Sequence, residues 1–192
     1  MVSSNKPFIK KTGNVKIKRQ SRVPKFEPGP RLAFSPIKKN RTDFIIEKAT
    51  ELGVERLSPV ITKFTVARGI NKLRLFEIAK GAAEQCGRLS VPIIEEPVLL
   101  EKFVEEWPRE RTLFYGDETG GGISMKKWLE KECHHSDIRS GFLIGPEGGF
   151  SPEEHVFLRQ SKYLHAINLG PRLLRTETAA LLVLSAWEAL MS

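Results

Sequence analysis

The chain has 192 residues, of which 40% are hydrophobic and 28% charged, with a formal net charge of +8. This length and composition suit one full domain with a hydrophobic core and exclude a disordered chain. No apolar run approaches the roughly 20 residues of a membrane span, so we expect a soluble, cytoplasmic protein with no membrane partner.

The positive charge is concentrated at the N-terminus. The first 41 residues contain 12 Lys and Arg but a single acidic residue, Glu27, so they carry +11 and the remaining residues carry −3. Such a segment attracts polyanions, which favours nucleic acid or an anionic membrane surface as a partner, although a solvated tail has the same composition. Prolines between Pro24 and Pro36 predict a linker or domain boundary.

After this linker, short apolar runs alternate with helical patterns. The first helix is expected to have Thr42 as its N-cap and to end at Gly53, and the second is expected to end at Gly87. Pro59 predicts that its strand lies at a sheet edge. Strands are expected at 57–61, 112–115, 142–144 and 164–169. This alternation predicts an α/β fold with a mainly parallel sheet and helices on both faces.

Two later helices have distinctive sequences. Ser151 and Glu154 form a capping-box pattern around Pro152, which predicts a helix start. The pattern at 177–190 is apolar on nearly every face, which indicates a helix at the centre of the domain or one buried against a second subunit. In a domain of this size we favour the second subunit, and we predict a homodimer.

A glycine-rich turn joins the strand ending at Ile144 to the helix that Ser151 caps. It reads Gly-Pro-Glu-Gly-Gly at 145–149, where backbone groups can approach a ligand closely. It matches neither a Walker A loop nor a dinucleotide fingerprint. The carboxylate of Glu147 disfavours an anion, so the turn favours a cationic or neutral ligand.

A second strand-to-helix turn spans residues 169–179. Thr176 can cap the following helix, and Glu177 suits its first turn. Either turn alone is compatible with ordinary turn and cap chemistry. Both would follow parallel strands, and the carboxyl ends of such strands are where open α/β sheets bind ligands. Their joint occurrence therefore favours a binding site.

These two turns, with Lys-Ala-Thr-Glu-Leu-Gly-Val at 48–54 and Glu-Gln-Cys-Gly-Arg at 84–88, resemble the ribosomal small subunit methyltransferase E family. This family belongs to the knotted SPOUT class of RNA methyltransferases. The resemblance runs from about Leu32 to Ala189. It implies methyl transfer from S-adenosylmethionine to N3 of a uridine in the decoding region of small-subunit ribosomal RNA, by a homodimer that meets through a C-terminal trefoil knot.

The resemblance also implies where the cofactor binds. Asp117 and Glu118 would close a third side, beyond the strand that ends near Tyr115. The expected cofactor-binding residues are Tyr115, Gly116, Gly145, Pro146, Glu147, Gly148, Gly149, Leu169, Gly170, Leu174, Arg175 and Thr176. Small, apolar and main-chain groups suit the adenosine and methionine parts, and acidic residues suit a sulfonium cation.

Catalysis requires loss of the uridine N3 proton and stabilisation of the negative charge that develops on the base. Arg88 and Arg175 are the candidate cations, and Glu177 is the candidate base. The arginines could instead hold RNA phosphates, and Glu177 could simply pair with the helix dipole.

Family members begin with an RNA-binding β-barrel similar to the PUA domain. We expect residues 1–30 to be a basic remnant of that barrel plus a linker, and residues 31–192 to be the methyltransferase domain. Two other functions remain open. The chain could be a non-catalytic RNA- or ribosome-binding protein that retains the knot fold, or it could methylate a different RNA.

We expect no metal. His134 and His135 are adjacent, and neighbouring side chains usually point in different directions, so a solvated loop is the simpler interpretation. Methyl transfer from a sulfonium needs no Lewis acid. Cys86 and Cys133 lack metal-type spacing and are expected to be reduced thiols.

Overall fold

A computed structural model describes residues 19, 22–23, 25–67, 69–132 and 140–191. Most of the expected barrel remnant, Cys133 and the two adjacent histidines lie outside the described residues. Cys86 is a free thiol.

Strands and helices alternate along the described chain. The strands are β1 (Arg31–Phe34), β2 (Arg56–Ile61), β3 (Ile93–Ile94), β4 (Val98–Leu99), β5 (Leu113–Gly116), β6 (Ile123–Ser124), β7 (Gly141–Ile144) and β8 (Leu164–Asn168). The helices are α1 (Lys39–Glu51), α2 (Lys72–Cys86), α3 (Leu100–Glu105), α4 (Met125–Glu132), α5 (Pro152–Gln160) and α6 (Thr176–Met191).

The strands form one sheet in the order β3-β2-β1-β7-β5-β8-β6, and β4 also pairs with β2. Every strand pair is parallel. The predicted α/β fold is therefore confirmed. The central strand β7 lies between β1 and β5, so segments that are distant in sequence become neighbours. The trefoil knot stays a prediction.

Hydrophobic clusters cover both faces of the sheet, as predicted. One cluster packs α1, α2, α4 and α6 on one face around residues such as Phe142 and Trp128. The other packs α3 and α5 on the opposite face around Leu143 and Tyr115. Because consecutive side chains of a strand alternate between faces, adjacent residues of β7 contribute to different clusters.

The helix boundaries confirm several predictions and correct one. Gly53 and Gly87 both adopt φ of 75° where α1 and α2 end. The capping box of Ser151 and Glu154 is present at α5. The predicted N-cap at Thr42 is wrong, because α1 begins at Lys39 and the Thr42 hydroxyl instead bonds the backbone of Ile37.

The predicted edge position of Pro59 is also wrong. Its strand β2 lies between β1 on one side and β3 and β4 on the other. On the second side, β3 pairs with Arg56 and Leu57, and β4 pairs with Val60 and Ile61. Pro59 therefore lies between the residues that pair with β3 and those that pair with β4. No described strand is paired with it on that side, so the N–H that proline lacks is not required.

The apolar helix α6 packs against α1, β1, α4 and β7. Its buried residues are Thr176, Ala179, Ala180, Val183, Leu184 and Trp187. Leu181 and Leu182 are only half-buried, and Ser185 and Glu188 are exposed. Packing within the chain thus explains much of its apolar character. Among the described residues, no helix is both long and apolar enough to cross a membrane.

Candidate functional site

A cavity of about 270 Å³ opens at the carboxyl edge of the sheet, where β5, β7 and β8 end. Open α/β sheets bind ligands at this edge. The cavity is lined by most of the residues expected to bind a cofactor. These residues are Gly116, Gly145, Pro146, Glu147, Gly149, Leu169, Gly170, Leu174 and Thr176. Asp117 and Glu118, expected on a third side, line it as well.

The loop between β7 and α5 forms the first wall. The hydroxyl of Thr176 donates to the carbonyl of Gly145 at 3.0 Å, which connects this loop to α6. The N–H of Phe150 donates to Oε1 of Glu118 at 2.8 Å. Gly149 has φ of 70°, and a Cβ there would lie 2.0 Å from the same oxygen. Only glycine suits this position.

Asn168, which was not predicted as a site residue, connects the second and third walls. Its Oδ1 accepts from the N–H of Gly170 at 2.9 Å, and its Nδ2 donates to the carbonyl of Gly120 at 3.2 Å. The sequence does contain a signal for this role. Asn168 lies near the end of a predicted strand and is followed by a glycine turn, and asparagine side chains commonly bond the backbone two residues on. The other lining residues that were missed are Thr119, Gly120, Ile144, Pro171, Arg172, Leu173 and Ala179.

Asp117 supplies a buried carboxylate on the third side. Thr119 donates to Oδ1 through its N–H at 2.9 Å and its hydroxyl at 2.6 Å, and Arg159 donates to Oδ2 at 3.1 Å. Burial tends to raise the pKa of Asp117, but these hydrogen bonds outweigh it and the net pKa is lowered. Asp117 is therefore ionised at neutral pH.

Asp117, Glu118 and His155 each place one potential metal-ligand atom within 4.8 Å of the others. Hydrogen bonds within the chain already use these groups. Oε1 of Glu118 accepts from the N–H of Phe150 and lies 3.1 Å from Nε2 of His155. We interpret the cluster as a junction that fixes the first and third walls. The expected absence of a metal stays a prediction.

Three expected cofactor-binding residues lie near the cavity but do not line it. The Tyr115 ring is buried on the other side of β5, 6.2 Å from Phe150, and its burial raises its pKa. Gly148 is exposed, and a Cβ built on it would lie 3.3 Å from Cβ of Phe64. Arg175 is exposed just before α6.

The candidate catalytic residues lie at two different edges of the sheet. Glu177, in the first turn of α6, is 3.6 Å from Nε of Arg41, which also pairs with Glu147 on the first wall. The other carboxylate oxygen of Glu177 is buried and has no hydrogen-bond partner among the described residues. Arg41 was not predicted as a site residue, because nothing in the sequence shows that α1 begins beside both turns.

Arg88 lies at the amino edge, away from the cavity. Its guanidinium donates to Glu27 and to Ser90, and to the carbonyl of Thr50 at the end of α1. The Arg88 side chain is only 6% exposed. These contacts fasten the segment before β1 to the ends of the first two helices.

The chemistry of the cavity favours a ligand with apolar and cationic parts. Carboxylates of Asp117, Glu118 and Glu147 line it together with Arg172. Ile144, Leu169 and Leu174 offer apolar surface, and the glycine turns expose backbone donors and acceptors. A cavity close to the lower end of the usual range, about 300 Å³, suits a small molecule.

Comparison with known proteins gives a consistent result. Residues 28–188 match the model of an RNA methyltransferase domain. The chain is 31% identical over 168 residues to the ribosomal RNA small subunit methyltransferase E of Rickettsia conorii, covering 88% of this chain and 67% of the relative. It is 32% identical over 164 residues to the protein of the same name from Bacillus subtilis, covering 78% and 61%.

A solved structure gives the same comparison in three dimensions. The ribosomal RNA small subunit methyltransferase E of Neisseria gonorrhoeae, bound to S-adenosylmethionine, superposes with a TM-score of 0.74 at 29% identity. The match covers 84% of this chain and 66% of that structure. The chain thus spans between 61% and 67% of the length of these three relatives.

Proposed function

This chain belongs to the ribosomal RNA small subunit methyltransferase E family, and we propose that it methylates N3 of a specific uridine in the decoding region of small-subunit ribosomal RNA. The proposed methyl donor is S-adenosylmethionine, and the proposed substrate locates the reaction in the cytoplasm. The observation that carries the proposal is the cavity at the carboxyl edge, with two glycine turns and three carboxylates in its lining.

The lining residues fit S-adenosylmethionine. Leu169, Leu174 and the backbone of the two turns would hold the adenosine part, and the carboxylates would attract the positive charge. When bound, the cofactor supplies a methyl group already activated by its sulfonium. Thr176, Glu118 and Asn168 would keep the walls in place, so that little reorganisation is needed on binding.

For the acceptor base, we propose Glu177 as the group that receives the N3 proton and Arg175 as the cation near the carbonyl oxygens. Arg41 lies 3.6 Å from one carboxylate oxygen of Glu177, and the other oxygen has no hydrogen-bond partner among the described residues, so that oxygen can receive a proton. The contacts of Arg88 favour a structural role. Its catalytic role stays a prediction, and Arg88→Ala with unchanged methylation and RNA affinity would remove it from the candidates.

We propose that two copies associate through the knot region, with the half-buried Leu181 and Leu182 in the interface. Sedimentation at micromolar concentration should show a dimer. A monomer at that concentration would contradict this part of the proposal.

We propose that residues 1–30 attract RNA electrostatically, because the first 41 residues carry +11. Deleting residues 1–25 should weaken RNA binding and flatten its salt dependence. The affinity for S-adenosylmethionine should not change, and a lower affinity would indicate that the segment belongs to the catalytic fold.

Mass-spectrometric mapping of ribosomal RNA from cells with and without the protein tests the activity. Loss of N3-methyluridine at one site in the deficient cells is the expected result. An unchanged ribosomal pattern would reject the proposal and would favour a different RNA substrate or a non-catalytic role. Calorimetric titration with S-adenosylmethionine separates these two, since a binding-only protein should give no heat signal.

A further inference from the structure

An exposed phenylalanine lies against the outer side of the glycine turn in the first wall. Phe64 is 43% exposed. A Cβ built on Gly148 would lie 3.3 Å from Cβ of Phe64 and 3.6 Å from its Cγ. The aromatic side chain therefore lies next to the exposed Gly148, one residue from Glu147 and Gly149 in the cavity lining.

The turn that carries Phe64 is held firmly on both sides. Thr62 and Thr65 are buried, and the Thr65 hydroxyl lies 2.9 Å from that of Thr62 and accepts from the Thr62 N–H at 2.8 Å. The N–H of Lys63 donates to Oε1 of Glu154 at 2.8 Å. An exposed ring on a turn this constrained loses little conformational freedom when a ligand binds it.

Glu154 also connects this turn to the first wall. Its second oxygen, Oε2, accepts from the N–H of Ser151 at 2.7 Å, two residues after the glycine turn. A single buried carboxylate thus holds the position of Phe64 relative to the cavity. The bond to Oε2 is the one expected for a capping box, whereas the bond to Oε1 is an additional contact that holds the Phe64 turn.

Exposed lysines follow the segment that contacts this turn, whereas Lys63 of the turn itself pairs with Glu153. The Thr62 hydroxyl lies 3.4 Å from that of Ser35, in the segment that leads to Lys38 and Lys39 at the start of α1. A second cavity, of about 340 Å³, is lined by Lys39 and by Ala67 of the Phe64 loop. Exposed aromatic rings beside basic groups are the common arrangement of single-strand nucleic-acid sites.

We propose that Phe64 is a stacking platform for a base of the RNA substrate, next to the base that receives the methyl group. This inference rests on the proposed function and adds a named substrate contact to it. Single-stranded RNA is the occupant that Lys38 and Lys39 favour, because its backbone is anionic and its unpaired bases have exposed faces.

The test measures binding of the 192-residue chain to an oligouridylate and to small-subunit ribosomal RNA. Phe64→Ala and Phe64→Leu should each weaken binding about five- to hundredfold, the loss expected for one base–aromatic stack. Phe64→Trp should retain the affinity of the wild-type protein. The affinity for S-adenosylmethionine should be unchanged in all three variants.

Phe76→Ala is the matched control. The exposed fraction of Phe76, 41%, is close to the 43% of Phe64, but Phe76 lies on α2 and not beside the glycine turn. This variant should bind RNA as the wild-type protein does. An equal loss in Phe76→Ala would overturn the assignment to Phe64.

Fluorescence of the F64W variant gives a direct signal. The native Trp107, Trp128 and Trp187 are only 6%, 1% and 5% exposed, so the new indole should dominate quenching by RNA. Quenching that saturates with the binding curve is expected, and RNA binding without quenching would contradict stacking.

The outcomes separate the two proposals. Failure of the wild-type chain to bind either RNA would overturn both the stack and the proposed function. RNA binding that Phe64→Ala and Phe64→Leu leave unchanged would overturn the stack alone. Unchanged RNA binding with a shift in sedimentation would assign Phe64 to contact between copies of the chain.

Discussion

Two groups of polar side chains, one at each edge of the parallel sheet, bond to different kinds of partner. At the amino edge, Glu55 is buried between Arg31 and Arg111, so side chains neutralise one another. At the carboxyl edge, Thr176, Glu118 and Asn168 instead bond backbone groups of the loops around the cavity. The ion pairs at the amino edge connect segments that precede the strands. The bonds at the carboxyl edge fix the backbone of the loops that line the cavity.

This contrast predicts that substitutions at the two edges affect different measurements, stability at one edge and ligand affinity at the other. Substitutions at the amino edge should lower the free energy of unfolding without changing ligand affinity in the folded protein. Substitutions at the carboxyl edge should lower ligand affinity more than they lower stability, because binding depends on the exact placement of backbone groups.

Glu55→Ala should have the largest effect. The Glu55 side chain is 6% exposed, and its loss would leave the largely buried guanidiniums of Arg31 and Arg111 without their carboxylate. Burial and the charges of Arg111 and Arg56 already lower the pKa of Arg31. We expect a loss of about 3–5 kcal/mol in the free energy of unfolding, measured by urea denaturation.

Glu106→Ala is the control for this variant. Glu106 forms an exposed ion pair with Lys102 at 3.7 Å, and such pairs contribute little. Stability should change by less than about 0.5 kcal/mol. A similar loss in both variants would show that burial of Glu55 is not the cause.

Gly149→Ala should disrupt the carboxyl edge most. Alanine disfavours the φ of 70°, and its Cβ would push Glu118 away from the N–H of Phe150. We expect the dissociation constant for S-adenosylmethionine, measured by calorimetry, to rise about tenfold or more, equivalent to about 1.4 kcal/mol. Gly81→Ala in α2, where no atom lies within 4 Å of a new Cβ, should leave it unchanged.

Thr176→Val should have a smaller effect on the same measurement. It removes the hydroxyl that donates to the carbonyl of Gly145 and preserves the shape of the side chain. Loss of one hydrogen bond, about 1 kcal/mol, should weaken cofactor binding about fivefold. Thr178→Val, on the exposed side of the same helix, should bind as the wild-type protein does.

Local signals predicted the elements around the site well. The capping box of Ser151 and Glu154 and the terminal glycines Gly53 and Gly87 depend on neighbouring residues, and all are present. Of the two errors, the one at Thr42 came from a local contact that places the start of α1 earlier, and the one at Pro59 came from the arrangement of neighbouring strands. Thr42 lies one turn inside α1, and its hydroxyl bonds the backbone of Ile37, which precedes the helix. Pro59 lies between the residues that pair with β3 and those that pair with β4.

Connections between loops could not be predicted, because they depend on which strands become neighbours. Arg41 meets Glu147 and Glu177 only because β1 pairs with β7. Asn168 reaches Gly120 only because β8 lies between β5 and β6. Nothing in the separate motifs indicates these contacts.

The contribution of Asp117 to stability should depend on pH. Asp117 lies at the carboxyl edge but pairs with an arginine side chain, as Glu55 does at the amino edge. Its pKa is lowered below the ordinary value of 3.8, since its hydrogen bonds outweigh the effect of burial. Folding therefore favours the ionised form. This contribution to stability is complete above the unfolded pKa and is lost as the pH falls through the folded pKa.

Asp117→Asn should be less stable than the wild-type protein by about 1 kcal/mol at pH 7, because the amide has no charge to attract Arg159. Arg159 is half-exposed, so solvent limits the size of this effect. Urea denaturation should show the difference narrowing as the pH falls below the ordinary pKa of 3.8 and through the lower folded pKa, where folded wild-type Asp117 becomes protonated. The pKa of Glu153, lowered to about 2, affects both proteins alike and cancels in the comparison. A difference independent of pH would mean that the shape of the Asp117 side chain, and not its charge, stabilises this wall.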